Sequence, residues 1–346
     1  MAQIHLLPPV EHRFKANLHT HSRISDGVMT PAEVKALYKN AGFQIVAMTD
    51  HNIMADHSEL SDDDFLMLTG GEFNVNDPEF QPSKHKRGKT YHLCMIARCP
   101  DNLWQPFPAP MKREFAIPYI KKTRPEDMPR VYGIKEINDI IAKANEMGFL
   151  VTYNHPVWSL QDYSDWSGLK GLWGMEVCNS GSVASGYTEH NATVYQDMLR
   201  LGMHLMPVAA SDMHEEKSRY GMVYYNTAWC TVCAEKLEYD AVIAALEKGD
   251  LYASLGPEIE SLTWEDGKVR IRCTPVRSIQ VETHFRTTRL AIPKDDAATM
   301  EEAEFDLSEW VEQERDTPNA FFRLTLTDPD GNYAVTRAYW LSELPV

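Results

Sequence analysis

The sequence predicts a β/α layered or barrel domain over about residues 14–255, followed by a small β-sandwich over 257–346. Three patterns carry this reading. Short apolar runs alternate with helix-period segments through the first stretch, each apolar run is followed at once by polar residues, and beyond residue 256 the rhythm changes to apolar/polar alternation. Polar residues just past an apolar strand stand where α/β barrels build their sites, at the carboxyl ends of the strands.

Taken in order, FKANLHTH (14–21) reads as a strand, TPAEVKALYKNAG (30–42) as a helix and FQIVAMTDHN (43–52) as a strand. Thr30 and Glu33 form a capping-box pattern with Pro31 at the first helical position, and Gly42 suits the helix end. IKEINDIIAKANEMG (134–148) then leads into FLVTYNHP (149–156), and ATVYQDMLRLG (192–202) into MHLMPVAASDMH (203–214). Residues 100–133, rich in Pro and basic side chains, read as a long inserted loop, a length that usually signals a functional segment. In the last part KVRIRC (268–273), SIQVET (278–283) and FFRLTLT (321–327) alternate as strands, and DPDG (328–331) marks a turn. The organisation read from this is 1–256 and 257–346, with Trp264, Phe321, Phe322, Tyr339 and Trp340 as core of the second part.

Composition narrows the function classes. With 43% hydrophobic and 24% charged residues the chain matches a soluble globular protein, and no run of about 18 apolar residues suggests a membrane span. No signal-peptide pattern is read at the start, so cytoplasmic residence is the default expectation. Lys and Arg number 34 against 50 Asp and Glu, a net charge of −16 that disfavours a nucleic-acid backbone as partner. Six cysteines show no disulfide framework. Cys230 and Cys233 form a CxxC on a strand-like run, where residues three apart face opposite ways, so packed reduced thiols are expected.

The chemistry concentrates at strand ends. His19 and His21, two apart on a strand, point to one face and can reach one metal, with Asp26 and Gly27 on the turn that follows. His51 closes the next strand in Thr49-Asp50-His51-Asn52, where Asp50 and Asn52 read as supporting groups. Glu72 follows Gly70-Gly71, a carboxylate whose two oxygens can serve two cations. His92 lies in TYHLCMIA, His155 in Asn154-His155-Pro156, and Asp212 and His214 share a face in SDMH. Each motif alone reads equally well as a scattered polar cap; successive strands ending this way within one α/β domain point to a shared metal site.

HxHxxxSDG, TDHN, an isolated Glu, NHP and SDxH, in this order, resemble the successive motifs of the PHP (polymerase and histidinol phosphatase) phosphoesterases over about residues 14–255. The resemblance implies a distorted (β/α)7 TIM-like barrel, with two or three divalent metal ions (Zn, Fe or Mn). It implies one metal on His19, His21, Glu72 and Asp212, a second sharing Glu72 with His92 and His155, and a third on Asp26, His51 and His214. His85 stays open as an alternative to His92. Glu72, Asp212 and His214 are the implied catalytic residues. Three dications, three carboxylates and a bridging hydroxide leave roughly +2, which would attract a phosphate ester even to an acidic protein. The nucleophile expected is that hydroxide.

Substrate-binding candidates are Arg23, Arg87, Asn179, His190 and Arg219, with Lys84 and Lys89 in the same basic loop as Arg87. The function expected is hydrolysis of a phosphate ester of a small molecule. A nuclease or phosphodiesterase, a non-catalytic metal-stabilised scaffold and an amide hydrolase are the other readings. The C-terminal module is expected to shape the entrance, cover the barrel edge or mediate oligomerisation.

Overall fold

The computed structural model describes residues 3–9, 11, 13–79, 88–110, 114–294 and 297–345. Its first strand β1 (Ile4–His5) is followed by β2 (Phe14–Asn17), α1 (Pro31–Asn40), β3 (Ile45–Met48), β4 (Leu66–Asn76) and β5 (Thr90–Ala97). Next come α2 (Ile134–Glu146), β6 (Phe149–Tyr153), β7 (Gly174–Asn179), α3 (Ala192–Arg200) and β8 (Met206–Ala210). Strand β9 (Trp229–Val232), α4 (Tyr239–Lys248) and β10 (Leu251–Ser254) lead into the C-terminal part. That part adds β11 (Ile259–Glu265), β12 (Lys268–Val276), β13 (Ser278–Thr283), β14 (Thr288–Ala291) and β15 (Met300–Asp306). It ends with α5 (Ser308–Glu314), β16 (Phe321–Thr327) and β17 (Tyr333–Thr336).

Local chemistry sets the helix ends as read. The Thr30 hydroxyl accepts from the Glu33 amide while Glu33 accepts from the Thr30 amide at 2.7 Å, and Pro31 opens α1. Gly249 ends α4 with φ +76, a left-handed conformation that costs glycine nothing.

One long sheet runs β8-β7-β6-β5-β4-β3-β2-β9-β10-β17-β16-β13-β14, with Tyr339–Trp340 added beside β16. Strands β2, β3 and β4 are mutually parallel, as are β6, β7 and β8, but β5 is antiparallel to both β4 and β6. The strict β/α repeat is therefore broken in the middle. The expected (β/α)7 barrel is also not closed. Strand β2 is paired by β3 on one edge and β9 on the other, so β8 finds no free edge. The backbone after β8 instead meets the extension past β2, through the isolated bridge Thr20–Met213, with His21 N–H on Met213 O (2.8 Å) and Asp212 N–H on His19 O (2.9 Å). That bridge is small, and it joins two of the candidate metal motifs.

The described residues of 100–133 carry more regular structure than the loop expected. Trp104–Gln105 pairs with Arg124–Pro125, and short helices occupy 114–116 and 117–120. Leu103, Trp104 and Phe107 are buried in the main core, and that apolar anchorage overrides the Pro-rich composition.

A second core lies between the long sheet and a four-stranded sheet ordered β1-β11-β12-β15. Trp264 stacks on Phe322 at 5.4 Å, with Leu262 and Ile271 from one sheet meeting Val281 and Leu324 from the other. Two features tie the two parts together. Leu6 and Leu7 are buried in this second core, and β10 pairs with β9 on one side and β17 on the other, so the sheet continues across residue 256. The C-terminal aromatics read as core are all buried. All six cysteines are free, and Cys230 and Cys233 fall in different cores, as their opposite facing requires. Among the described residues no helix is long and apolar enough to cross a membrane.

Trp264 is fully buried between the two sheets. Trp264→Ala is expected to lower unfolding free energy by about 3–5 kcal/mol in denaturant titration; a loss below about 1 kcal/mol would remove it from the centre of that core.

Candidate metal centre

Nine side chains from distant parts of the sequence meet at one end of the parallel strands. His19 and His21 follow β2, His51 follows β3, and Glu72 sits within β4. His92 comes from β5, His155 from the turn after β6, Asp212 and His214 from the segment after β8, and Asp26 from the loop before α1. The alternation read for His19 and His21 holds although β2 itself ends at Asn17: their Nε2 atoms are 3.2 Å apart.

Glu72 is at the centre, fully buried. Its Oε1 lies 3.2 Å from His19 Nε2, 2.9 Å from His92 Nδ1 and 3.1 Å from His155 Nε2. Its Oε2 lies 3.4 Å from His21 Nε2 and 3.0 Å from His51 Nδ1. The two oxygens therefore face two different sets of imidazoles, the arrangement of a bridging carboxylate. Asp212 Oδ1 is 2.9 Å from His21 Nε2 and 3.3 Å from His19 Nε2. Asp26 lies 3.3 Å from His214 Nε2 and 3.6 Å from His51 Nε2.

Among the described residues, donor atoms within 4.8 Å of one another form four groups: His21/Asp26/His51/His214, His19/His21/Glu72/Asp212, His19/His155/Glu176 and His51/Glu72/His92. The second is the set the resemblance implied for one ion. The first keeps Asp26, His51 and His214, the set implied for another ion, and adds His21, which stands between Asp212 and Asp26. The remaining implied set is divided, His92 grouping with Glu72 and His51, and His155 with His19 and Glu176.

These residues fit divalent cations. Glu72 Oε2, Asp212 Oδ1 and His21 Nδ1 are buried with no hydrogen-bond partner. At Glu72 Oε2 and Asp212 Oδ1, short N···O separations without hydrogen-bond alignment are what donors aimed at a point between them produce. Ligand bonds of about 2.0–2.2 Å place neighbouring donors about 3 Å apart. Three imidazoles are also turned the right way. Nδ1 of His19 meets Glu176 Oε1 (2.7 Å), that of His155 meets Ser159 Oγ (3.1 Å) and that of His214 meets Asp212 O (3.0 Å), each leaving Nε2 for the cluster.

The protonation pattern shows the same field. Burial alone would raise the Glu72 carboxyl, but His92, His19 and His51 hold it well below the usual carboxylate range. Burial, reinforced by His214 and His51, pushes His21 down to about 4. Burial opposes the charged form of His155 and His214, yet Glu72 lifts the first to about 9 and Asp26 with Asp212 the second to about 9. Protons on imidazole here balance carboxylates that bound cations would balance instead.

The supporting residues explain why the motifs extend beyond the ligands. Asp50 accepts from the Ser22 amide (2.8 Å), the Ser22 hydroxyl (2.7 Å) and the Ser25 hydroxyl (2.7 Å), fixing the loop that carries Asp26. A Cβ on Gly27 would stand 2.8 Å from His21 O, so only glycine permits that return. His155 and Asp212 both have positive φ (25° and 52°), a strain of about 1–3 kcal/mol each. It is held by the His155 amide on Glu176 Oε2 (2.9 Å) and the Asp212 amide on His19 O.

Two buried carboxylates were not singled out in the sequence. Glu176 orients His19 and receives the His155 amide, and Glu189 accepts from the Val157 and Trp158 amides (3.0 and 2.7 Å), fixing the turn after His155. The available signal was an acidic residue inside the apolar run Met175-Glu176-Val177.

The expected substrate contacts fare differently. Asn179 is fully buried and donates to Glu176 (3.0 Å) and Asp212 (3.3 Å), so it braces carboxylates rather than facing a substrate. Arg23 lies over the Phe115 ring at 4.1 Å, Arg219 over Tyr220 at 4.7 Å, and His190 Nδ1 meets Tyr333 Oη at 2.9 Å. None of these three is hydrogen-bonded or ion-paired to the cluster, because nearer aromatic partners hold them. Lys89 pairs with Asp162 and Asp165, each at 2.7 Å. Arg87, Lys84 and His85 lie outside the described residues.

No family model matches the chain, and no curated protein matches it. Among solved structures the chain is similar to a two-domain protein from Bacteroides vulgatus containing a predicted PHP-like metal-dependent phosphoesterase. Identity is 14% and TM-score 0.45, over 97% of this chain and 98% of that one. A second, from Bifidobacterium adolescentis and described as a candidate metal-dependent phosphoesterase, has 16% identity and TM-score 0.39 over 60% and 90% of the two chains. A third, an amidohydrolase from Chromobacterium violaceum with bound sulfate and no metal, has 13% identity and TM-score 0.36 over 68% and 96%.

Glu176→Gln keeps the volume but removes the charge that orients His19. It is expected to weaken metal binding by about 10–100-fold in a metal titration followed by calorimetry; unchanged affinity would reduce Glu176 to a packing role.

Proposed function

We propose that this chain is a PHP-type hydrolase, a metal-dependent phosphoesterase that cleaves a phosphate ester of a small molecule with two or three divalent cations. The observation that carries the reading is Glu72, buried with one oxygen facing His19, His92 and His155 and the other facing His21 and His51. Asp26 and Asp212 flank it. The motif resemblance over residues 14–255 points the same way.

His19, His21, Glu72 and Asp212 would hold one ion, with His51, His92, His155, Asp26 and His214 serving the others. Mixed imidazole and carboxylate donors suit Zn, Fe or Mn better than Mg or Ca. Bound there, such ions supply Lewis acidity toward phosphoryl oxygens and lower the pKa of water toward about 7. The chain's own part is positional. Glu176, Ser159 and the Asp212 carbonyl fix three ring orientations, so the donors need no rearrangement as charge develops.

Exposure gives the direction of approach. The His19 and Glu72 side chains are 1% and 0% exposed, whereas His51 and Asp26 are 23% and 43% exposed. A phosphate group therefore reaches the cluster over the Asp26, His51 and His214 side. The net charge of −16 favours a small ester over a polynucleotide, whose many phosphates would be repelled.

Protein loaded with Mn²⁺ or Zn²⁺ is expected to hydrolyse p-nitrophenyl phosphate, and His19→Ala or Asp212→Ala to reduce kcat/KM by at least about 1,000-fold. Full activity in both variants would overturn the assignment.

A further inference from the structure

Beside the exposed edge of the metal cluster lies a cleft of about 200 Å³, smaller than the range of about 300–1,000 Å³ usual for small-molecule sites and so limited to a compact group. Asp26 and His51 line it and belong also to the cation-binding groups. The rest of its wall is apolar, with Ile24 and Ile53 on one side and Ala109 and Ile120 from the 100–133 insertion on the other. Ser25 and Asn52 are its remaining polar side chains. The Ser25 hydroxyl donates to Asp50 at 2.7 Å and the Asn52 amide donates to Asn74 at 2.6 Å, while the Asn52 oxygen is buried without a hydrogen-bond partner. Among the described residues no guanidinium or ammonium lines the cleft.

We propose that the alcohol part of the substrate is a compact apolar group, aryl or branched alkyl, seated between Ile24, Ile53, Ala109 and Ile120 while its phosphate meets the cluster at Asp26 and His51. The inference rests on the phosphoesterase reading and adds the substrate class to it. A phosphoryl group approaching from the open side can lay its ester group across this cleft, the opposite side being closed by His19 and Glu72. Among the described residues, a sugar or nucleotide there would lose water from several hydroxyls or a second phosphate and, beyond the cluster itself, meet only the Asn52 oxygen in return. An apolar ring or branched chain loses nothing of the kind and gains burial. Hydrolysis joins a water oxygen to phosphorus, breaks the bond from phosphorus to the alcohol oxygen and returns a proton to that oxygen. The products are the apolar alcohol or phenol and inorganic phosphate.

The test is isothermal titration of the Mn²⁺-loaded full chain with three non-hydrolysable probes: phenylphosphonate, 2-hydroxyethylphosphonate and inorganic phosphate. Phenylphosphonate is expected to bind at least about 10-fold tighter than the hydroxyethyl compound. Ile120→Ala, and separately Ala109→Asn, should weaken phenylphosphonate by about 3–10-fold and leave the phosphate Kd unchanged. Both positions are only partly buried, on the insertion rather than in the core. Equal affinity for the two phosphonates, or variants with no selective effect on the phenyl compound, would overturn the inference alone. Failure of inorganic phosphate to bind would overturn the phosphoesterase reading, and this inference with it.

Discussion

The rest of the structure depends on keeping one ionised carboxylate, Glu72, fully buried. Desolvation alone costs several kcal/mol per buried charge, and removing the partners of such a charge is among the most damaging changes a protein can suffer. Five imidazoles answer this one side chain: His19, His92 and His155 around Oε1, and His21 and His51 around Oε2. They arrive from four stretches of chain, His19 and His21 sharing one. The strand order therefore brings the segments after β2, β3 and β6 against β4 and β5 with little latitude.

Compensation passes outward in layers. Glu176 is itself buried, and it is satisfied by His19, the His155 amide and Asn179. Asp50 collects four donors from the Ser22–Ser25 loop, and Glu189 two backbone amides from the turn after His155. Carboxylates outnumber cations in the bulk composition, and here several of them are spent on holding loops rather than on ligation. The positive φ of His155 and Asp212 belongs to the same economy: two donors sit in strained backbone because the neighbouring network over-determines their position.

The two additions to the layered domain act at different distances. The 100–133 insertion is anchored by Leu103, Trp104 and Phe107 and returns Ala109 and Ile120 to the mouth of the site, which makes it a wall rather than a free loop. The C-terminal sheets build a separate core around Trp264 and Phe322, yet share one hydrogen-bonded sheet with the metal-bearing half through β10. Tyr333 on β17 touches His190 and the Val177 carbonyl, so the second part braces the back of β7, the strand that carries Glu176.

What the sequence by itself determined is the donor inventory and its periodicity. The His, Asp and Glu motifs after apolar runs, the capping box of α1 and the facing of Cys230 and Cys233 follow from local spacing, because two-residue and 3.6-residue periods are written along the chain, whereas His92 is set above His85 only by the motif resemblance. Tertiary structure alone decided three matters. It broke the barrel, since β9 occupies the edge of β2 that β8 would have needed. It distributed the donors, placing His21 between Asp212 and Asp26 rather than within a single group. It turned Asn179, Arg23, Arg219 and His190 toward nearer partners and gave Glu176 and Glu189 their supporting roles. These outcomes rest on contacts between residues far apart in the chain, where burial and competition for a hydrogen-bonding edge select the partner, and no local period encodes that competition.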